Sequence, residues 1–219
     1  SRYGLTGGIF TRSPVERQLA IDSLEVGNLY INQKITGARI GVQPFGGLKS
    51  SGVGAKTGGP DYLLKFMKVR HTPLPPSVGS QPLRLPDQEL APVQLPGQVN
   101  FLKYEPLGEG IILAGEGAPG PEIEAMVAAA RSAGNQVEVR QTGQGLPMSL
   151  RRYHFVAVVG KVPRKKLEEA FKDDLSTPYL TRLITDPVDP DDPVFLRQFY
   201  RVRAITVVTA RHGHLEQFW

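Results

Sequence analysis

The sequence predicts an α/β protein built as two units joined by a proline-rich tether. Three observations carry this. Residues 71–98, "HTPLPPSVGSQPLRLPDQELAPVQLPGQ", hold seven prolines and no periodicity, as a semi-rigid extended connector does. After them, apolar strand-length runs alternate with amphipathic stretches, the pattern of a mostly parallel sheet. Before them, a strand, a capped helix and a second strand lead into the glycine-rich "GVQPFGGLKSSG" of 41–52.

In chain order, "LTGGIF" reads as a strand and "SPVERQLAIDSL" as a helix. Ser13 is placed to cap that helix, Pro14 sits at its first position and Glu16 completes a capping box. Gly27 closes the element, and "NLYIN" alternates like a strand. "PDYLLKFM" at 60–67 has proline-led helix character, and "KVRHT" reads as an edge strand. Seventy residues with so few elements enclose little core, so they are expected to be the last part of something larger, with Ser1 a cut inside a longer chain. Beyond the tether, "GIILAG" (110–115) is a buried-type strand, "PEIEAMVAAARSAG" (121–134) an amphipathic helix closed by Gly134, and "QVEVRQ" a strand. "HFVAVVG" (154–160) and "PRKKLEEAFKDDL" (163–175) repeat the pair. The last stretch, "PVFLRQFYRVRAITVVTARHGHLEQFW", reads as a helix, a β-branched strand and an aromatic tail.

Composition narrows the function classes. The chain has no cysteine, which removes disulfides, thiolate metal sites and thiol catalysis from these residues and fits a reducing compartment. The net charge of +5 comes from residues 1–70, where ten Lys/Arg face four Asp/Glu. Residues 71–98 hold one and two, and residues 99–219 hold fifteen of each. The excess is scattered singly and "RKK" at 164–166 is followed at once by Glu168 and Glu169, so no nucleic-acid partner is expected. No run approaches the ~20 apolar residues of a membrane span, and no leader is visible.

Several motifs bear on chemistry. "GEGAPG" at 115–120 satisfies G-x-G-x-x-G between a strand and a helix, with Glu138 at the end of the next strand. Pro119 and Pro121 lack the N–H groups that would face a pyrophosphate, so a tight strand-to-helix turn is favoured over a nucleotide site at 110–138. "HGH" at 212–214 has no carboxylate or cysteine at metal spacing, and no metal is expected. "DPVDPDDP" at 186–193 reads as a solvated, turn-rich loop rather than a calcium loop. No serine has a neighbouring base, so no catalytic residue is expected in the segment. The glycines around Phe45 suggest backbone that approaches something closely, with the ring as a wall; Phe45 as plain core and Gly37 as a plain turn are the alternatives.

"YGLTGGIFTRS", "VGNLYINQKITGARIGVQPFGGLKSSG" and "GGPDYLLKFM" together resemble the end of an aldehyde dehydrogenase catalytic domain. More narrowly they resemble the glutamate-semialdehyde (delta-1-pyrroline-5-carboxylate) dehydrogenases of proline catabolism. "NFLKYEPL" (100–107) and "FLRQFYRVRAITVVTARHGHL" (195–215) are similar to the C-terminal region of the longer bifunctional proline utilization A flavoproteins. The resemblance implies four parts: 1–70, the end of the catalytic domain; 71–98, the linker; 99–195, a Rossmann-like domain; and 196–219, a tail covering the dehydrogenase site. It implies an NAD-dependent oxidation of L-glutamate γ-semialdehyde to glutamate, with FAD where the parent is bifunctional. The substrate carboxylate would be anchored by backbone N–H groups at Gly37 and Ala38, and Phe45 would belong to an aromatic wall around the aliphatic chain. The nucleophile and the nicotinamide site would lie upstream, so the partners expected are the small-molecule substrate, the upstream dehydrogenase domain and further copies in a homo-oligomer. A cytoplasmic location follows, peripheral at the bacterial inner membrane where the parent is bifunctional. The competing reading makes residues 99–219 a non-catalytic assembly module.

Overall fold

The computed structural model describes residues 1–52, 56–68, 88–89, 95–172, 177 and 179–209. They divide into two compact units, the first drawn from 1–65, 88–104 and 202–209 and the second from 66–68 and 105–201. The first contains β1 (Tyr3–Gly4), β2 (Thr6–Ile9), α1 (Pro14–Ser23), β3 (Asn28–Ile31), β4 (Leu48–Lys49) and β5 (Gln88–Glu89), and β6 (Gln98–Pro106) leaves it. The second holds β7 (Glu109–Ala114), α2 (Gly120–Ser132), β8 (Gln136–Gln141), β9 (Phe155–Val159), α3 (Arg164–Ala170), β10 (Arg182–Ile184) and α4 (Pro193–Arg197), after which β11 (Tyr200–Val208) returns to the first.

In the first unit α1 starts where the sequence places it. Ser13 Oγ accepts from Glu16 N at 3.3 Å with Pro14 in the first turn. The reciprocal half of the capping box runs through a third residue: Thr11 Oγ1 donates to the Glu16 carboxylate and accepts from Ser13 N. The main sheet has the order β2-β3-β11-β6-β5. β2 and β11 both lie parallel to β3, with Leu29 opposite Gly7 on one side and Ile205 on the other. Ile21, Leu29, Ile31, Ile205 and Val207 form one buried cluster, so the strand furthest along the chain packs with α1 and β3.

The second unit is an all-parallel sheet of order β10-β9-β7-β8. Ile111, Leu113, Leu150, Tyr153, Val156 and Ala170 make its core. Strands buried on both faces read as continuous apolar runs, which is why "GIILA" and "FVAVV" announce themselves in sequence. The α/β class and the alternation expected after the tether are what the structure contains.

Three boundaries differ from expectation. A 3₁₀ turn at Leu63–Phe66 stands where a helix over 60–67 was expected. The second unit starts at 105, not 99, because β6 pairs within the first sheet; β5, expected inside the 71–98 linker, pairs with it antiparallel. The largest correction concerns the tail. Residues expected to cover a site from outside instead include β11, whose side chains from Val202 to Val208 are all buried. Residues 200–208 of that stretch are therefore a central strand of the first sheet, and a covering role is left to residues beyond Thr209. Residues 210–219, with "HGH", lie outside the described residues, as do most of 71–98 and the edge strand expected at "KVRHT".

Candidate functional site

The chain leaves β3 at Asn32, which takes a left-handed conformation (φ 61), and does not enter strand again until β4. Gly37 and Ala38 lie on the first half of this excursion and Phe45 on the second. Gly37 has φ +80, with only Lys34 Cε, at 3.9 Å, near the place a Cβ would occupy. Glycine is therefore required by the backbone turn, not by crowding. Among the described residues, neither the Gly37 nor the Ala38 N–H has a protein acceptor. Two successive amides without a protein acceptor, one of them on a left-handed residue, are able to donate to an anion.

Phe45 is not core. Its residue is 36% exposed, while its backbone is fixed by a two-bond bridge to Thr57, N to O at 3.0 Å and O from N at 2.9 Å. Buried Asn28 holds the turn from the other side. Its Nδ2 donates to Pro44 O at 2.8 Å and its Oδ1 accepts from Gly46 N at 3.1 Å. Lys56, also buried, donates to Gly27 O at 2.5 Å, to Asn28 Oδ1 at 3.3 Å and to Gly46 O. Burial first, then the positive charge of Arg203, pull the Lys56 ammonium down to about 7. An exposed ring on a clamped backbone is a preset contact surface.

The glycines nearest the ring serve this clamp. A Cβ on Gly27 would stand 1.9 Å from Gly46 O and 2.9 Å from Gly47 Cα. The glycine-rich stretch therefore comes close to its own β3, where the sequence suggested approach to a ligand. Gly27→Ala is expected to displace the "PFGG" turn and abolish activity of the full-length protein; normal activity and melting temperature would show the close approach to be dispensable. Sequence reasoning missed Asn28, Gln43 and Lys56, whose one signal is a polar residue in a stretch bound for the interior.

"GEGAPG" does not fit a dinucleotide. The crevice for one would open between the carboxyl ends of β7 and β9, where the strand order reverses. There Gly115 N donates to Val159 O at 2.8 Å, and Glu116 and Lys161 exchange N–H···O bonds at 2.9 and 3.0 Å. Ala118 N turns back to Gly115 O, and Pro119 and Pro121 have no N–H to offer. Glu138, the acid at ribose spacing, accepts from Tyr153 OH at 2.5 Å and lies 3.8 Å from Arg152. Gly115, Glu116 and Ala118 thus spend their N–H groups across the strand ends or within the turn, which leaves Gly117 and Gly120 as the motif's N–H groups without a protein acceptor among the described residues. Gly120→Ala, which meets open space, should leave any affinity of the protein for NAD unchanged in a calorimetric titration; a loss of about ten-fold would place a dinucleotide at this turn.

Comparison with known proteins places the same residues in context. The aldehyde dehydrogenase family matches residues 1–72. A 1-pyrroline-5-carboxylate dehydrogenase of Staphylococcus saprophyticus is 52% identical over 68 residues, covering 31% of this chain and 13% of that protein. The enzyme of the same name from Bacillus subtilis is 46% identical over 72 residues, 33% of this chain and 14% of that one. The chain thus spans about an eighth of the length of these relatives. The structure of proline utilization A from Corynebacterium freiburgense superposes with a TM-score of 0.73 at 26% identity, covering 97% of this chain and 24% of that one.

Proposed function

We propose, from the match of residues 1–72 to the aldehyde dehydrogenase family, that the chain is the carboxylate-anchoring part of an enzyme that oxidises L-glutamate γ-semialdehyde to glutamate. The observation that carries the reading is the pair of amides at Gly37 and Ala38 without a protein acceptor among the described residues, on the same excursion between β3 and β4 as a clamped, exposed Phe45. The amides take the substrate's α-carboxylate, and the ring shields the aliphatic carbons between carboxylate and aldehyde. Relatives named for 1-pyrroline-5-carboxylate, the cyclic form of this aldehyde, support the substrate class.

With no cysteine among the 219 residues, the attacking thiolate belongs to a part of the protein beyond this chain. Bound NAD would supply the hydride acceptor, and the bonds that tie Gly115 and Glu116 across the ends of β7 and β9 support a cofactor site outside this chain. What these residues do is hold the substrate's far end so that the aldehyde is presented in one orientation. The second unit is a non-catalytic assembly module, a reading supported by the bonds across its strand ends. FAD, a homo-oligomeric state and a cytoplasmic or inner-membrane-peripheral location belong to the same proposal through the likeness to a proline utilization A structure.

Ala38→Asp in the full-length enzyme tests the anchor. A carboxylate beside the amides should raise the KM for glutamate semialdehyde by about ten-fold or more and leave an aldehyde without a carboxylate, such as propanal, unaffected. Equal effects on both substrates, or none, would remove the anchor from this loop.

A further inference from the structure

The C-terminal strand reaches the proposed anchor from beneath. Gln43 is buried, and its side-chain Oε1 accepts from Arg39 N at 2.9 Å, the residue directly after the Gly37–Ala38 amides. Its Nε2 donates to Thr206 Oγ1 of β11 at 3.2 Å. Thr206, equally buried, donates from its hydroxyl to Asn100 Oδ1 of β6 at 2.8 Å. From Asn100 the chain runs on to Gln98 Nε2 at 3.3 Å and to Gln33 Oε1 at 3.2 Å. Asn32, at the loop's other root, donates from Nδ2 to Val208 O of β11 at 3.3 Å and accepts from Thr11 N at 2.8 Å.

Both roots of the loop are therefore fastened to one strand, two residues apart, and a line of buried amides and a hydroxyl closes the circuit between them. Burying such groups is costly, the more so because Gln98 Oε1 and Asn100 Nδ2 have no partner among the described residues, and apolar side chains would fill the same space without that cost. The direction of the bonds is what apolar packing would not supply: Gln43 Oε1 sets where the Arg39 amide, and with it the peptide plane after Ala38, must point.

We infer that Gln43 and Thr206 are positioning residues, through which β11 holds the Gly37–Ala38 amides in the geometry that receives the carboxylate. The inference rests on the anchor reading above and deepens it. It also gives the C-terminal segment a route to substrate affinity that needs no covering tail. Neither residue touches substrate; they act through the Arg39 amide.

The test uses the full-length enzyme. Thr206→Val keeps the shape and the β-branch of the strand residue and removes the hydroxyl. It should raise the KM for glutamate semialdehyde about five- to twenty-fold with little change in kcat, through the loss of the two hydrogen bonds that the hydroxyl makes beneath a charged ligand. Thr206→Ser, which keeps the hydroxyl, should restore the KM to within about two-fold, and Gln43→Leu should match Thr206→Val. The KM for propanal should not move in any of them. A Thr206→Val enzyme with unchanged KM overturns the inference, as does one whose KM rises equally for both aldehydes or is not rescued by serine, since those mark a purely structural strand. If Ala38→Asp selectively weakens semialdehyde binding while Thr206→Val does not, the anchor stands and only the positioning role fails; if Ala38→Asp is also without effect, the anchor itself is lost.

Discussion

A protein truncated after Phe199 will fail to fold its first unit, rather than merely lose turnover. β11 lies between β3 and β6, so its removal strips the ladder bonds from an edge of each. It also takes Ile205 and Val207 out of the cluster that buries Ile21, Leu29 and Ile31. Each large apolar side chain so lost is worth roughly 2 kcal/mol. Arg203 leaves with them; its guanidinium donates to Ile21 O at 2.7 Å, Leu24 O at 2.8 Å and Val26 O at 3.2 Å, closing the end of α1. Domains are stable by about 5–15 kcal/mol in all, so these losses together exceed what the unit can tolerate. Hydrogen exchange at the β3 amides reads the result directly: protection in the full-length protein and none in the truncated one. Retained protection would mean that β11 is an accessory strand. Deleting 196–219 therefore cannot by itself distinguish a covering role from a folding one, whereas Thr206→Val can.

The second large effect falls on Lys56. Lys56→Met leaves Gly46 O without its charged donor and loosens the clamp on the Phe45 turn, at a cost of about 2 kcal/mol near pH 6. The difference should grow with pH. In the unfolded chain the ammonium titrates at its ordinary 10.5, and burial brings it to about 7 in the fold. Below 7 both states hold the proton and the residue gives no slope. Between 7 and 10.5 the unfolded chain binds a proton that the folded one has released, so folding gains up to roughly 1.4 kcal/mol per pH unit, a gain absent from the methionine variant. Urea midpoints of the two proteins at about pH 6, 8 and 9.5 should diverge steadily across the last two. A constant difference would mean that the oxygens of Gly27, Asn28 and Gly46 hold the ammonium charged against the pull of burial.

Much of the second unit was legible because its signals are local. Strands buried on both faces, "GIILA" and "FVAVV", alternate with helices, and the prolines of "GEGAPG" were enough to doubt a nucleotide there. The reason lies in the chain itself, since a missing N–H needs no neighbour to reveal it. The anchor loop was legible only by resemblance. Gly37 needs glycine for its φ, but a single glycine in a loop does not announce which residues hold the turn. Asn28, Gln43 and Lys56 are ordinary polar residues in sequence. Each becomes a support only by meeting a partner carbonyl or hydroxyl across the fold.

The amino-acid order by itself determined the α/β alternation, the cap at Ser13, the absence of any thiol nucleophile in the chain and the turn chemistry at 115–121. Only the tertiary structure decided that the strand at 200–208 belongs beside β3, that the "PFGG" glycines pack against Gly27, and that polar side chains beneath the loop join into one line. Periodicity reports how deeply a stretch will be buried. It carries no record of which distant stretch will bury it, because strand pairing at a separation of about 176 residues, as between Asn28 and Ala204, is set by the fit of whole surfaces and not by either strand alone.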